Sequence, residues 1–165
     1  MKVERRNSFI KVCSIIFVIL LVCSYIYSEM TSEVPSKQPS VTIEYNEKAV
    51  PTSIGEHTWA GNLPEGQKAG SSYIVGPSYD IGMAVSRFSV KPNSEIKVSF
   101  KSAPVKMILN SWVVGDKEIY STEEFDSEKD YTITLPNKKE EYIFEVKGYW
   151  NDTNNTSTIF RVLVE

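Results

Sequence analysis

An alternating pattern of apolar and charged residues near the C-terminus constrains the fold of this chain more than any other feature. The segment 142–150 has an apolar residue or glycine at every second position, with the charged residues Glu145 and Lys147 between them. The segment 158–164 repeats this pattern. Because successive residues of a strand point to opposite faces of a sheet, a period of two predicts two strands with one buried face each. We expect these strands to form a hairpin, joined by an exposed polar loop at residues 151–157.

The middle of the chain carries further strand candidates. The same period of two recurs in residues 41–45, 96–100 and 131–135. The segment 105–114 is apolar on both faces, which predicts a central strand, and residues 117–120 are expected to follow it as another strand. Less regular candidates for strands are residues 53–60, 72–75 and 82–90. Roughly seven to nine strands, without an amphipathic helix among them, predict an all-β fold, an immunoglobulin-like antiparallel β-sandwich.

A dense apolar run near the N-terminus predicts one transmembrane helix at residues 12–28. Basic residues precede the run and acidic residues follow it, namely Lys2, Arg5, Arg6, Lys11, Glu29 and Glu33. This bias places the N-terminus, residues 1–11, in the cytoplasm and the rest of the chain outside. We therefore expect a single-pass anchor in the cytoplasmic membrane, a linker at residues 29–40 and an extracellular β-sandwich domain at residues 41–165.

The fate of the apolar run has three alternatives, because its length lies between a signal-peptide core and a transmembrane helix. Bulky Tyr25 and Tyr27 are poor neighbours for signal-peptidase cleavage, so a retained anchor is favoured over secretion. Residues 20–23, Leu-Leu-Val-Cys, resemble a lipoprotein cleavage box in which Cys23 would be acylated. Since Cys13 and Cys23 both lie in this segment, the exported part has no cysteine, which excludes disulfides and thiol catalysis there.

Composition and charge limit the remaining classes of function. The 165 residues are 41% hydrophobic and 24% charged, which is typical of a globular protein. Basic residues number 18 and acidic residues 21, for a net charge of −3, so no nucleic-acid partner is predicted. No phosphate-loop pattern is present, and no cofactor is predicted.

A glycine-rich stretch at residues 61–82 is the candidate ligand-binding region. Aromatic residues lie beside or within it, and His57 precedes it, so the candidate binding residues are Trp59, Tyr73, Tyr79 and His57. Loops at the end of a β-sandwich are common binding sites, which suggests a surface for a glycan or a peptide. The alternative is a structural loop whose tyrosines cover the edge of the core.

His57 is the only histidine, so a Ser-His-Asp triad would have to use it. The serines and aspartates of the chain form no nucleophile elbow around a glycine-flanked serine. No catalytic residue is therefore predicted.

Five acidic residues crowd one short segment, Glu123, Glu124, Asp126, Glu128 and Asp130. Hard cations such as Ca²⁺ take several carboxylate oxygens, so this segment is a candidate metal site. The spacing does not match an EF-hand loop. The alternative is a solvated turn whose charges keep an edge strand from pairing with another chain.

Three segments together resemble a known kind of domain. They are Ile54-Gly55-Glu56-His57-Thr58-Trp59, Val90-Lys91-Pro92-Asn93-Ser94, and the alternating run 142–150 before the final strand. This pattern resembles a small extracytoplasmic domain of Bacillus-type bacteria, found in short anchored proteins, in lipoproteins and in the ectodomains of antibiotic-sensing receptors. The resemblance implies a fold and a location, and no activity. Where members show Gly-x-Tyr-x-Trp, this chain has His57 in place of the tyrosine. Tyr142 is expected to play a tyrosine-corner role, with its ring packed and its hydroxyl bonded to backbone.

These observations predict a non-enzymatic binding or interaction module, anchored in the membrane and acting at the bacterial cell envelope on an unidentified envelope ligand or protein. One alternative is a secreted or lipidated envelope hydrolase using His57 or a metal at the acidic segment. Another is a structural or immunity-type membrane protein whose membrane segment makes the contacts.

Overall fold

A computed structural model describes residues 15–24, 34–61 and 70–165 of the chain. The chain divides into two compact units, Met1–Glu33 and Val34–Glu165. In the first unit, residues 15–24 are helical, and this helix is α1. None of the helices described is both long enough and apolar enough to cross a bilayer. The predicted cytoplasmic segment, both ends of the predicted anchor and residues 29–33 of the predicted linker lie outside the described residues.

The second unit consists almost entirely of strands. The strands described there are β1 (Val41–Tyr45), β2 (Lys48–Ala49), β3 (Thr52–Ile54), β4 (His57–Trp59), β5 (Ser71–Tyr73), β6 (Phe88–Val90), β7 (Glu95–Phe100), β8 (Lys106–Val113), β9 (Ser121–Asp126), β10 (Asp130–Thr134), β11 (Glu141–Asn151) and β12 (Asn154–Val164). Helix α2 (Ser78–Ala84) lies between β5 and β6. The prediction of an all-β, mainly antiparallel sandwich is therefore confirmed.

The strands form a small sheet and a large sheet. The small sheet has the order β10-β7-β1-β2, and all its pairs are antiparallel. The large sheet has the order β5-β4-β12-β11-β8-β9. The side of β12 away from β11 is shared by three short strands, with β4 and β3 antiparallel to it and β6 parallel. This side of the sandwich is therefore segmented, which means that three separate short strands, not one continuous strand, pair with β12.

The main core lies between the two sheets. Every second residue of the long strands points into it, as the period of two predicts. The small sheet contributes Ile43, Val98, Phe100 and Ile133, and the large sheet contributes Leu109, Phe144, Val146 and Phe160. The rings of Phe144 and Phe160 stack across the β11–β12 hairpin at 5.1 Å between centroids. Each such side chain, when removed from water, stabilises the fold by about 1.5–3 kcal/mol.

A second, smaller core lies on the outer face of the large sheet. Helix α2 covers this face, and Tyr79 packs there with Trp112, Ile143 and Ile159. Gly82 allows the close approach, because a Cβ at that position would lie 2.3 Å from Cγ2 of Ile143. Strands β8, β11 and β12 are therefore apolar on both faces, and the prediction that 105–114 forms a central strand is confirmed.

Three sequence predictions about individual elements are wrong. The first concerns residues 82–90, which begin with the end of α2 and form a strand only at β6, Phe88–Val90. Pro77 precedes the helix, and Val85 ends it in extended conformation. Seven residues are too few for a helical period to stand out, and the outer face of the large sheet stabilises this helix.

The second wrong prediction is a strand at residues 117–120. The turn at Gly115, with φ +102°, occurs as expected, but pairing with β8 begins only at Ser121. Lys117 reaches Asp80 instead, with Nζ 3.0 Å from Oδ1.

The third is the polar loop at residues 151–157. The hairpin turn occupies residues 152–153 alone, and β12 begins at Asn154, which is 1% exposed. The Asn154 Oδ1 accepts hydrogen bonds of 2.8 Å from the backbone N–H groups of Ala60 and Gly61. Asn154 is buried because its amide oxygen satisfies two backbone N–H groups of the segment that follows β4.

Two further expectations concern the start of the folded domain and the role of Tyr142. The folded unit begins at Val34, whose side chain packs against the main core, so it overlaps the predicted linker. The ring of Tyr142 is fully buried, and its hydroxyl donates to the carbonyl of Lys138 at 3.4 Å, as its expected corner role requires.

Candidate functional site

The four predicted binding residues lie at three different places in the second unit. His57 and Tyr73 are opposite each other on β4 and β5, with ring centroids 5.3 Å apart. Trp59 is buried in the main core, edge-to-face with Trp150 at 5.2 Å. Tyr79 lies in the smaller core on α2. The structure therefore joins only His57 and Tyr73 in one surface, because burial draws both other rings inward.

His57 has no triad partners among its described contacts. Its Nδ1 lies 3.0 Å from the carbonyl oxygen of Gly55, and its ring faces Tyr73. Among the residues that the structure describes, neither a serine hydroxyl nor a carboxylate contacts the ring. These contacts hold the imidazole against the strand.

The acidic side chains of the predicted metal site are spread over β9, the following turn and the start of β10. Among residues 15–24, 34–61 and 70–165, no group of three or more His, Cys, Asp or Glu side chains is placed to hold a metal ion. Glu123 and Glu124 are neighbours on β9 and so point to opposite faces. Asp130 accepts a hydrogen bond of 2.5 Å from the Ser99 hydroxyl, which lowers the pKa of its carboxyl.

The remaining acidic side chains also have separate positions. Glu124 pairs with Lys106, with Oε1 3.5 Å from Nζ, and Asp126 ends β9. Glu128 lies in the turn towards β10, where its backbone N–H donates to the hydroxyl of Tyr131. Since β9 is an outer strand of the large sheet, its negative charges discourage pairing with another chain.

Cys23, the candidate for acylation, is an exposed residue of α1 with a free thiol. Acylation of Cys23 stays a prediction.

A depression on the outer face of the large sheet is a candidate site in the described part of the second unit. Its volume is about 320 Å³, and its lining includes Tyr79, Asp80, Asn110, Trp112, Lys117 and Ile119. Helix α2 forms one wall, strands β8 and β11 form the floor, and the loop after Gly115 forms the opposite wall. The depression exists because α2 covers only part of the sheet.

A buried carboxylate lies at the floor of this depression. Glu145 is 2% exposed, although its position between the apolar residues of β11 predicts a solvent-facing side chain. Its Oε1 accepts hydrogen bonds from the hydroxyls of Ser78, at 2.7 Å, and Ser157, at 2.8 Å. Its Oε2 accepts one of 3.0 Å from the Asn110 amide. These donors come from α2, β12 and β8, so one carboxylate joins three elements.

Two ion pairs balance the charge of the depression. Lys147, two residues along β11, places Nζ 3.5 Å from Oε1 of Glu145. Lys117 pairs with Asp80 at the rim and also lies over the ring of Tyr79, 5.6 Å from its centroid. A buried carboxylate is costly without hydrogen-bond and ion-pair partners, and Glu145 has both. The depression as a whole is therefore close to neutral.

Polar groups in the depression are positioned but not fully used. The Asn110 side chain donates to Glu145 and accepts a hydrogen bond of 2.9 Å from the Thr122 hydroxyl, which fixes the orientation of its amide. Lys147 keeps 31% of its side chain exposed. A fixed amide and an accessible ammonium beside aromatic rings can donate hydrogen bonds to an oxygen-rich ligand.

Sequence reasoning missed Glu145 because the alternation was interpreted as one buried face and one solvated face. The signal that could have found it is Ile143, which shares that supposedly solvated face. An apolar residue next to Glu145 on the outer face indicates that part of this face is covered.

Comparisons with known proteins place few constraints on the site. No protein-family model matches the chain, and no curated protein sequence matches it. A solved structure of a lytic polysaccharide monooxygenase from Jonesia denitrificans is similar to the chain, with 15% sequence identity and a TM-score of 0.38. The similarity covers 50% of this chain and 60% of that protein. A TM-score this low supports no conclusion about activity.

Proposed function

We propose that this chain is a non-enzymatic binding module of the bacterial cell envelope, with an immunoglobulin-like sandwich held outside the cytoplasmic membrane by a retained anchor at residues 12–28. The order of basic residues, apolar run and acidic residues supports the anchor and its orientation. The two-sheet architecture and the buried Tyr142 support the immunoglobulin-like assignment.

The depression that α2 borders is the observation that carries the proposed binding function. Its floor is held by the buried Glu145, whose two oxygens are occupied by donors from three elements, so its role is to fix the shape of the site. The groups left for a ligand are Asn110, Lys147 and the aromatic wall. Such a combination of an apolar wall and a few fixed polar groups is typical of binding sites.

The charge balance of the depression favours a neutral, hydroxyl-rich ligand. Its carboxylates are already paired with lysines, in Glu145–Lys147 and Asp80–Lys117. A charged ligand would have to displace one of these pairs, whereas a sugar needs only hydrogen bonds and an apolar surface. We therefore propose an envelope saccharide as the ligand class.

Binding is tested by titration calorimetry on the full-length chain in detergent micelles, with a neutral N-acetylhexosamine trisaccharide as the probe. We expect Lys147→Met to weaken binding about tenfold, because it removes an accessible donor together with the ion pair to Glu145, while the packing of its stem is kept. Lys97→Met, on the small sheet, is the matched control and should bind as the unaltered protein does. No heat of binding, or equal weakening by both variants, would count against a saccharide site in the depression.

The anchor and its orientation need a separate measurement. Protease added to intact cells should degrade the second unit, and mass spectrometry of the protein from membranes should find the N-terminus at Met1. An N-terminus at an acylated Cys23 would replace the anchor by a lipid, and one near Glu29 would indicate secretion. Protection of the second unit until the cells are lysed would contradict the proposed location.

A further inference from the structure

A second concave surface lies on the segmented side of the sandwich. It is a groove of about 370 Å³ between the two sheets, and its lining includes Pro39, Val41, Thr52, Ile54, Thr156 and Thr158. None of the residues that line it is charged. We propose that this groove binds an extended, neutral peptide segment of a partner protein, which adds a strand to the open edge of β3.

The groove arises where the chain leaves one sheet for the other. Strand β2 pairs with β1 through Glu44–Ala49 and Tyr45–Lys48, and the N–H of Val50 donates to the carbonyl of Ile43 at 2.9 Å. Continued pairing would place Thr52 opposite Val41. Instead, the chain crosses after Val50, and Thr52 begins β3 in the large sheet. Val41 and Thr52 become opposite walls of the groove.

The backbone of β3 presents hydrogen-bonding groups on its open side. The N–H of Gly55 donates to the carbonyl of Ser157 at 2.9 Å, so Gly55 and Ser53 direct their backbone groups towards β12. Backbone groups alternate in direction along an antiparallel strand. The N–H and C=O groups of Thr52 and Ile54 therefore point away from β12, and no described residue pairs with them. Two such residues are a template for one added strand.

Side chains around this edge fit an uncharged peptide. Ile54 is 59% exposed, although it is a large apolar residue. Thr156, which lines the groove, is 2% exposed, and its hydroxyl has no hydrogen-bond partner among the described residues. A buried hydroxyl without a partner is costly, and a polar group of a bound peptide would remove that cost. An apolar contact at Ile54 would add to the binding.

The open edge of β3 differs from the outer edge of the large sheet at β9. Strand β9 carries Glu123, Glu124 and Asp126, charges of the kind that natural proteins use to prevent pairing of edge strands. Strand β3 has the sequence Thr-Ser-Ile and lacks such protection. A recess between the sheets is wide enough for a single extended segment. A second folded copy of this chain is two sheets thick, so it would not fit into the recess.

The test uses the full-length protein in detergent micelles and a soluble nine-residue peptide of alternating threonine and valine. Amide hydrogen exchange is measured at each residue with and without the peptide. We expect saturation to slow exchange at Thr52 and Ile54 at least about tenfold, because their N–H groups become paired. A peptide with proline at its centre lacks a donor there and should give little protection.

Two variants separate binding at the edge from an effect on folding. Ile54→Lys should reduce peptide affinity at least about tenfold, since it places a charge on the edge, and leave the melting temperature nearly unchanged because the side chain is exposed. Val105→Lys, at an equally exposed apolar residue outside both depressions, should bind the peptide normally. Equal exchange at Thr52 and Ile54 with and without peptide would overturn the proposal. Concentration-dependent self-association that protects β3 without peptide would also overturn it, in favour of a second copy. Neither outcome bears on saccharide binding beneath α2.

Discussion

The carboxylate of Glu145 accepts a 2.7 Å hydrogen bond from the Ser78 hydroxyl, and this contact ties the first residue of α2 to the centre of the large sheet. The same Oε1 also accepts a hydrogen bond from the Ser157 hydroxyl and lies 3.5 Å from the Lys147 ammonium. The Glu145 carboxylate therefore has partners from several elements. A charged side chain in the interior costs several kcal/mol unless it is paired in this way. Helix, sheet and depression therefore depend on one residue.

Replacing Glu145 by glutamine should test that dependence. The Glu145→Gln side chain keeps the shape but turns one acceptor into a donor, so one of its present donors loses its acceptor and the pairing with Lys147 is lost. We expect the free energy of unfolding to fall by about 1–3 kcal/mol in urea titrations followed by fluorescence. Glu123→Gln on the exposed edge strand should change it by no more than about 0.5 kcal/mol. Equal effects of the two variants would mean that the buried carboxylate has no special structural weight.

Gly82→Ala in α2 should destabilise the protein, against the usual effect of that substitution. Alanine in a helix is normally better than glycine by about 0.5–1 kcal/mol. Here the new Cβ would lie 2.3 Å from Cγ2 of Ile143, whose side chain is fully buried and has little room to move. We expect a loss of about 1–3 kcal/mol in urea unfolding, as for other overpacked cores.

A second substitution identifies the cause of that loss. The double variant Gly82→Ala with Ile143→Val should be more stable than the sum of the two single effects predicts, because the smaller side chain makes room for the Cβ. Simple additivity would contradict the proposed clash. Met83→Ala, exposed on the same helix, should change stability little.

The sequence predicted the main core better than the outer face. Alternation in 142–150 identified which residues of β11 point inward, because the two faces of a buried strand differ in polarity along most of its length. The outer face could not be assigned in the same way, since Ile143 and Glu145 lie side by side on it. Their burial depends on α2. This short helix is hard to predict from sequence, because Pro77 beside it and Gly82 within it are typical of a loop.

The predicted binding residues do not share one surface, for a related physical reason. Trp59 and Tyr79 are close to Tyr73 in sequence, but aromatic rings are buried wherever a core is nearest. Trp59 faces the main core and Tyr79 the outer one, so proximity along the chain did not become a shared surface. The groove at β3 had no sequence signal, since it depends on where the chain crosses after Val50.

Asn154→Ala should loosen the attachment of β4 to the large sheet. The Asn154 Oδ1 accepts bonds from two backbone N–H groups, those of Ala60 and Gly61, and alanine would leave both without a partner. We expect a loss of about 1–3 kcal/mol in unfolding free energy and faster amide exchange in β4. Asp152→Ala in the exposed turn is the control. Unchanged exchange in β4 would show that these bonds do not hold the strand.

Alkaline conditions should weaken the fold through Tyr142. Burial raises the pKa of this hydroxyl to about 12, above the value of about 10 expected in an unfolded chain. The folded state therefore holds its proton more tightly, so this contribution to stability is complete below pH of about 10 and is lost as pH rises towards 12. Tyr142→Phe removes the ionisable group, and its urea-unfolding free energy should fall less steeply over this pH range than that of the unaltered protein. Tyr73→Phe, at a half-exposed ring, should leave the slope unchanged, and equal slopes in all three proteins would contradict the role assigned to burial.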